Sequence, residues 1–174
     1  MSLSLDVHDL TTTLDRHRGF LLQTAEGLTE EQARTASTIS DLTIASILKH
    51  VADTEEQWLD FAVRGAEAFT QIYNEDIDWS DMDADAPDQR FALGDSDTLE
   101  SLRERVLSVG ERTTELLTRL DLDSAHELPS APWFEPGAEW TVRHVALHML
   151  AEIAQHAGHA DIIREAIDGA RTMG

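Results

Sequence analysis

Apolar residues recur at three- and four-residue steps through most of this chain, a spacing typical of amphipathic helices. No alternating strand pattern and no repeat of solenoid length occur. We therefore predict an all-α protein, an antiparallel four-helix bundle. The predicted helices cover about residues 6–27, 43–65 and 97–121, and the last one begins after Thr141.

Hydroxyl residues mark the expected helix starts. Thr29 with Gln32 forms a capping-box pattern that opens a short extra turn, and Thr43 and Thr141 are cap candidates for the second and last long helices. Gly110, in the middle of the third helix, allows a neighbouring segment to approach closely.

An acidic stretch separates the second and third predicted helices. Residues 74–88 contain seven acidic side chains, but they lack the glycine and glutamate spacing of an EF-hand. We interpret this stretch as a long, solvated loop. The connection before the last helix contains Trp133, Phe134 and Trp140, whose rings we expect to cover one end of the core.

Composition narrows the classes of partner and chemistry. A chain of 174 residues suits one domain, spanning 1–174. Because it has no cysteine, thiolate ligands and a cysteine nucleophile are excluded. A net charge of -21 disfavours nucleic acid and anionic lipid. Without a signal-peptide pattern or an apolar run of about 20 residues, we expect a cytoplasmic protein with no membrane span.

The last helix holds the chain's densest group of metal-binding side chains. Four of the eight histidines, His144, His148, His156 and His159, lie within sixteen residues together with Glu152. On a helical wheel, Glu152 and His156 point most nearly toward the core, whereas His144 points away. Since an unpaired buried carboxylate is costly, this pair favours a bound cation.

A third ligand has to come from another helix, and His50 in the second helix is the natural candidate. On the wheel of that helix His50 lies at the edge of the apolar face, whereas Glu55 lies nearer its middle. Three protein ligands leave an open coordination position, as in catalytic zinc sites. Nitrogen and oxygen donors suit zinc, nickel, iron or manganese. The chain lacks the paired Glu-x-x-His motifs of di-iron bundles, the His-Glu-x-x-His zinc motif and the Gly-x-Ser-x-Gly motif of serine nucleophiles. A structural bundle with hydrogen-bonded histidines is the simpler alternative.

Two segments resemble the DinB-like four-helix bundles, within them the branch of mycothiol-dependent maleylpyruvate isomerases and related thiol transferases. The segments are Leu-Thr-Ile-Ala-Ser-Ile-Leu-Lys-His-Val-Ala-Asp-Thr-Glu at 42–55 and Glu-Ile-Ala-Gln-His-Ala-Gly-His-Ala-Asp-Ile-Ile-Arg at 152–164. The resemblance implies that His50, Glu152 and His156 bind a divalent metal, zinc first among the alternatives. Glutamate at 152, where many relatives have histidine, matches the thiol-dependent branch. His159 replaces a frequent glutamine and is a candidate helper ligand.

The resemblance also implies an activity. A metal would bind a low-molecular-weight thiol as the co-substrate and lower its pKa, so that the thiolate attacks a small electrophile held between aromatic residues. Isomerase-branch relatives often carry a further C-terminal domain, so we expect a stand-alone S-transferase rather than a maleylpyruvate isomerase. The alternative is a non-catalytic metal-binding bundle acting in stress response. The DinB-like resemblance further implies a homodimer.

Overall fold

A computed structural model describes residues 4–70 and 88–172. The α-helices and β-strands among these residues are α1 (Leu5–Thr24), α2 (Glu30–Ala33), α3 (Ile44–Arg64), α4 (Leu99–Leu117), β1 (Ala125–Glu127), β2 (Glu139–Thr141) and α5 (Val142–Asp168). Among the described residues of the connection between α3 and α4 lie two 3-10 helices, Gly65–Phe69 and Gln89–Phe91. Of the predicted acidic loop, every residue except Asp88 lies outside the described residues.

Hydroxyl caps define where the helices begin. Thr43 and Thr141 each accept a hydrogen bond from the backbone three residues on, at the starts of α3 and α5. Thr29 forms the predicted capping box with Gln32 at the start of α2. These three predicted caps are confirmed. The end of α1 comes earlier than predicted, at Thr24, and Gly27 adopts a positive φ of 73° in the turn that follows.

The four long helices form the predicted all-α bundle, in which α1 and α3 each pack against both α4 and α5. His50 meets His156 and Trp58 meets His148, so α3 and α5 run antiparallel. Ion pairs from Asp53 to Arg105 and from Asp60 to Arg112 show that α3 and α4 run parallel.

The two remaining pairs of neighbouring helices are α1 with α5 and α1 with α4. Arg143, at the start of α5, pairs with Asp6, and Arg164, near its end, donates to the Thr24 carbonyl, so α1 and α5 are parallel. Hence α1 is antiparallel to α4. The predicted antiparallel arrangement thus applies to α3 with α5 and to α1 with α4.

A buried ion pair crosses the core of the bundle. Arg18 on α1 donates to Glu55 on α3, and Thr113 on α4 donates to the same carboxylate at 2.7 Å. Arg18 and Glu55 are 4% and 2% exposed. A Cβ atom at Gly110 would lie 2.5 Å from the Arg18 guanidinium, so the predicted close approach at this glycine is confirmed.

A two-stranded antiparallel sheet closes one end of the bundle, with His126 opposite Trp140. Each strand has three residues, too few to produce a recognisable alternating pattern, and the sequence did not predict them. β2 leads directly into α5, and so it fixes Trp140 beside the first turns of that helix. In the described part of the chain, no helix has both the length and the apolarity to span a bilayer.

Candidate metal centre

His50 lies in the second turn of α3 and is only 4% exposed. Its ring stacks on Phe91, with ring centroids 4.2 Å apart and an interplanar angle of 28°. Phe91 belongs to the 3-10 helix Gln89–Phe91, which contacts α3. The predicted edge position of His50 is therefore buried because this short helix covers it.

Glu152 and His156 lie one turn apart on the face of α5 that meets α3. The Nε2 atoms of His50 and His156 each lie 3.7 Å from Oε2 of Glu152. The two imidazole rings meet edge to face with centroids 4.7 Å apart. Two separate helices thus direct three donor groups toward one point.

The spacing of these donors fits a single metal ion. One ligand atom from each of His50, Glu152 and His156 can be chosen so that all three lie within 4.8 Å of one another. Atoms bound to one zinc ion at about 2.0–2.2 Å in tetrahedral geometry lie about 3.3–3.6 Å apart. The 3.7 Å separations therefore require only small side-chain shifts. This group, with two buried histidines and a half-buried carboxylate, could bind a metal.

The electrostatics of the group keep its carboxyl group ionised. The imidazole of His156, and then that of His50, hold the pKa of Glu152 well below its usual range, although burial opposes them. One turn earlier, burial lowers the pKa of His148 more than the nearby Glu152 carboxylate raises it. Glu152 is thus a carboxylate, the form that binds cations, and burial favours the uncharged form of His148 beside it.

The other histidines of α5 lie around this group. The His159 ring meets the His156 ring at a centroid distance of 5.4 Å, but His159 does not share the converging donor set. His144 is exposed, as predicted, and stacks on Trp140 at 4.3 Å. Within the described residues, the buried Nδ1 atoms of His156 and His159 have no hydrogen-bond partner.

Aromatic rings wall a cavity beside the metal group. The cavity has a volume of about 240 Å³, and His50 and Glu152 form part of its lining. A second cleft of about 710 Å³ also reaches His50, and its lining residues are mostly charged or polar, Lys49, Gln57 and Arg105 among them. We call the ring-lined cavity the aromatic chamber; its rings are those of Trp58, Phe69, Trp133, Phe134, Trp140 and His148.

The sequence profile of the mycothiol-S-transferase family matches residues 9–169 of the chain. The chain belongs to this family. The crystal structure of a conserved protein from Enterococcus faecalis is also similar, at 14% identity and a TM-score of 0.67, over 97% of this chain and 100% of that one. At that identity the likeness shows the shared fold alone. A comparison with curated proteins finds no match.

Membership of the mycothiol-S-transferase family agrees with the predicted thiol-dependent branch. The structure brings His50, Glu152 and His156 together and leaves His159 beside them, while their role as ligands stays a prediction. Sequence reasoning missed Phe91 and the place of His148 in the chamber wall. For His148 a signal existed, since it lies one turn before Glu152 on the same side of α5. For Phe91 no local signal existed.

Proposed function

We propose that this protein is a divalent-metal-dependent S-transferase of the cytoplasm, which joins a low-molecular-weight thiol of the mycothiol type to a small electrophile. The convergence of His50, Glu152 and His156 on one point, in a member of the mycothiol-S-transferase family, is the observation that carries the proposal. A small thiol is the partner that the family implies. The homodimer implied by the DinB-like resemblance stays a prediction, to be tested by analytical ultracentrifugation.

The metal would be held by two imidazoles and one carboxylate, with zinc as the first expectation for this donor set. A divalent cation, when bound, supplies positive charge that lowers the pKa of a thiol beside it. His50 and Glu152 also line the aromatic chamber, so the reacting sulfur would lie beside that chamber. Phe91 covers His50 and keeps water from that side of the ring.

The chemistry requires sulfur from outside the chain, since the protein has no cysteine. The thiol loses its proton to the buffer, and the thiolate sulfur donates an electron pair to an electrophilic carbon. A sulfur–carbon bond forms, and the leaving group departs with the electron pair of its own bond. The polar cleft that reaches His50 suits the hydrophilic body of such a thiol.

Metal binding is the first test. We expect His156→Ala to weaken zinc binding at least about 100-fold, because it removes one of three ligands. His159→Ala is the matched control, since it lies on the same helix and touches His156 but lies outside the donor set. Competition with a chromophoric zinc chelator measures both. Equal losses in the two variants, or no zinc binding by the wild-type protein, would contradict the ligand assignment.

Activity is the second test. Conjugation of mycothiol to iodoacetamide would be followed with zinc-loaded protein and with EDTA-treated protein, and we expect turnover only with zinc. Glu152→Gln should abolish the zinc-dependent rate, because it removes the anionic ligand while keeping the side-chain shape. Zinc binding without a zinc-dependent rate for mycothiol, glutathione or cysteine would support the alternative, a non-catalytic metal-binding bundle.

A further inference from the structure

The aromatic chamber is built from five separate parts of the fold that meet at the metal group. Trp58 comes from α3, Phe69 from the 3-10 helix that follows it, Trp140 from β2 and His148 from α5. Trp133 and Phe134 come from the connection before β2. Rings from distant segments therefore form one wall, and that wall ends at two of the proposed ligands, His50 and Glu152.

Trp58 contacts several of the other rings in this wall. It stacks on Trp140 with centroids 4.7 Å apart and an interplanar angle of 22°, and it meets His148 edge to face at 4.8 Å. Phe69 contacts it from a third side at 5.1 Å. Trp58 and Phe69 are 7% and 2% exposed, so their rings are fixed by the core before any ligand arrives. A preformed aromatic wall binds flat rings at low entropic cost.

The volume of the chamber limits what it can hold. An apolar cavity of about 150 Å³ accommodates benzene, whereas pockets for drug-sized ligands run from about 300 to 1,000 Å³. At about 240 Å³ the aromatic chamber lies between these sizes. It suits a molecule of one or two rings, and a larger ligand would have to extend past the opening.

The charges around the chamber favour an uncharged ligand. Glu152 supplies one negative charge and a bound thiolate would supply a second; together they would balance a divalent cation, so the metal group would present no net charge to the second substrate. Arg90 also lines the chamber, but its guanidinium already donates to both carboxylate oxygens of Asp88, so its charge is balanced. The remaining polar groups of the lining, such as Gln57, offer hydrogen bonds without charge.

We infer that the aromatic chamber is the subsite for the second substrate and that it selects flat, uncharged electrophiles of one or two rings. The inference rests on the proposed S-transferase function. Trp133 forms the outer part of the wall and is 53% exposed, so a bound ring would cover an apolar surface that otherwise faces water. An aromatic electrophile in the chamber would lie beside the sulfur at the metal group.

The kinetic test compares two electrophiles with the same thiol and zinc-loaded protein. The aromatic probe is 1-chloro-2,4-dinitrobenzene, in which the sulfur–carbon bond replaces a carbon–chlorine bond and chloride leaves with the electron pair. The aliphatic probe is iodoacetamide. We expect Trp133→Ala to raise KM about fivefold for the aromatic probe, equal to the loss of one aromatic contact, and less than twofold for iodoacetamide.

Leu107→Ala is the matched control, because Leu107 is 52% exposed and lies on α4 outside the chamber lining. It should change neither KM value. The inference would be overturned if Trp133→Ala affected the two electrophiles equally, or if it did not affect the aromatic one. Zinc-dependent transfer to iodoacetamide would still support the proposed function in that case.

A binding measurement separates the chamber from the activity. 1,3-Dinitrobenzene has no leaving chlorine and cannot react, and it should quench tryptophan fluorescence of the metal-free protein saturably. Trp133→Ala should weaken this binding about fivefold and Leu107→Ala should not. Absence of saturable binding would overturn the inference. Binding without transfer of any thiol would support the subsite and count against the proposed function instead.

Discussion

A methyl group added at Gly110 would meet the guanidinium of Arg18. The Cβ atom of Gly110→Ala would lie 2.5 Å from Cζ and Nε of that side chain and 2.7 Å from Nη1. Arg18 cannot move aside freely, since it is 4% exposed and its guanidinium binds both Asp15 and Glu55. The substitution therefore has to displace a buried charge from its partner.

The expected loss of stability follows from the Glu55 carboxylate, which stays buried when Arg18 is displaced. It is 2% exposed and, of its hydrogen-bond partners in the described part of the chain, would retain the Thr113 hydroxyl at 2.7 Å. Removing one partner of a buried ion pair costs about 3–5 kcal/mol, and replacing glycine by alanine within a helix returns about 1 kcal/mol. We expect Gly110→Ala to lower the free energy of unfolding by about 2–4 kcal/mol.

Urea denaturation followed by circular dichroism measures this change. With a denaturant dependence of about 2 kcal/mol per molar urea, the midpoint should fall by about 1–2 M. Gly158→Ala on α5 is the matched control, because its Cβ atom meets nothing within 4 Å. The midpoint of that variant should rise by up to about 0.5 M.

Two results would refute this reasoning. The first is a Gly110→Ala protein as stable as Gly158→Ala, which would mean that Arg18 moves aside without cost. The second is an unchanged penalty in a background that carries both Arg18→Ala and Glu55→Gln. In that background neither the guanidinium nor the buried charge remains, so the penalty should disappear.

Three further substitutions test separate contacts. Phe91→Ala removes the ring stacked on His50 at 4.2 Å and should weaken zinc binding up to about tenfold, measured by chelator competition; unchanged affinity would show that the ring does not position His50. Arg164→Ala removes two hydrogen bonds, at 2.8 and 2.7 Å, to the carbonyls of Thr24 and Glu26, together with an ion pair to Asp168. It should lower Tm by about 5 °C, with a smaller loss for Arg164→Lys. Thr43→Ala removes the capping box of α3 and should cost about 1 kcal/mol in urea denaturation, whereas Thr12→Ala, exposed in mid-α1, should have less effect.

The helices could be predicted because their signals are local. Apolar spacing and hydroxyl caps act within one or two turns, so Thr29, Thr43 and Thr141 mark helix starts in both sequence and structure. The three-residue strands could not be predicted, because each is stabilised by pairing with the other and not by its own residues.

The candidate site, too, could be predicted from the sequence only in part. Glu152 and His156 lie one turn apart on α5, and helical geometry alone places them on one inward face. His50 required a second helix, and its own wheel position was less favourable than that of Glu55. Both side chains are in fact buried, but Glu55 pairs with Arg18, while His50 is covered by Phe91 from another segment. A helical wheel drawn for α3 alone shows neither Arg18 nor Phe91.

By itself the sequence determined the helical bundle, the mid-helix glycine and the inward pair on the last helix, since each depends on residues a few positions apart. Only the tertiary structure decided that His50, and not Glu55, faces that pair from α3, and only it assembled the aromatic chamber from rings between positions 58 and 148. Such contacts join segments far apart in the chain. Their spacing is set by the packing of whole helices, and no local periodicity encodes it.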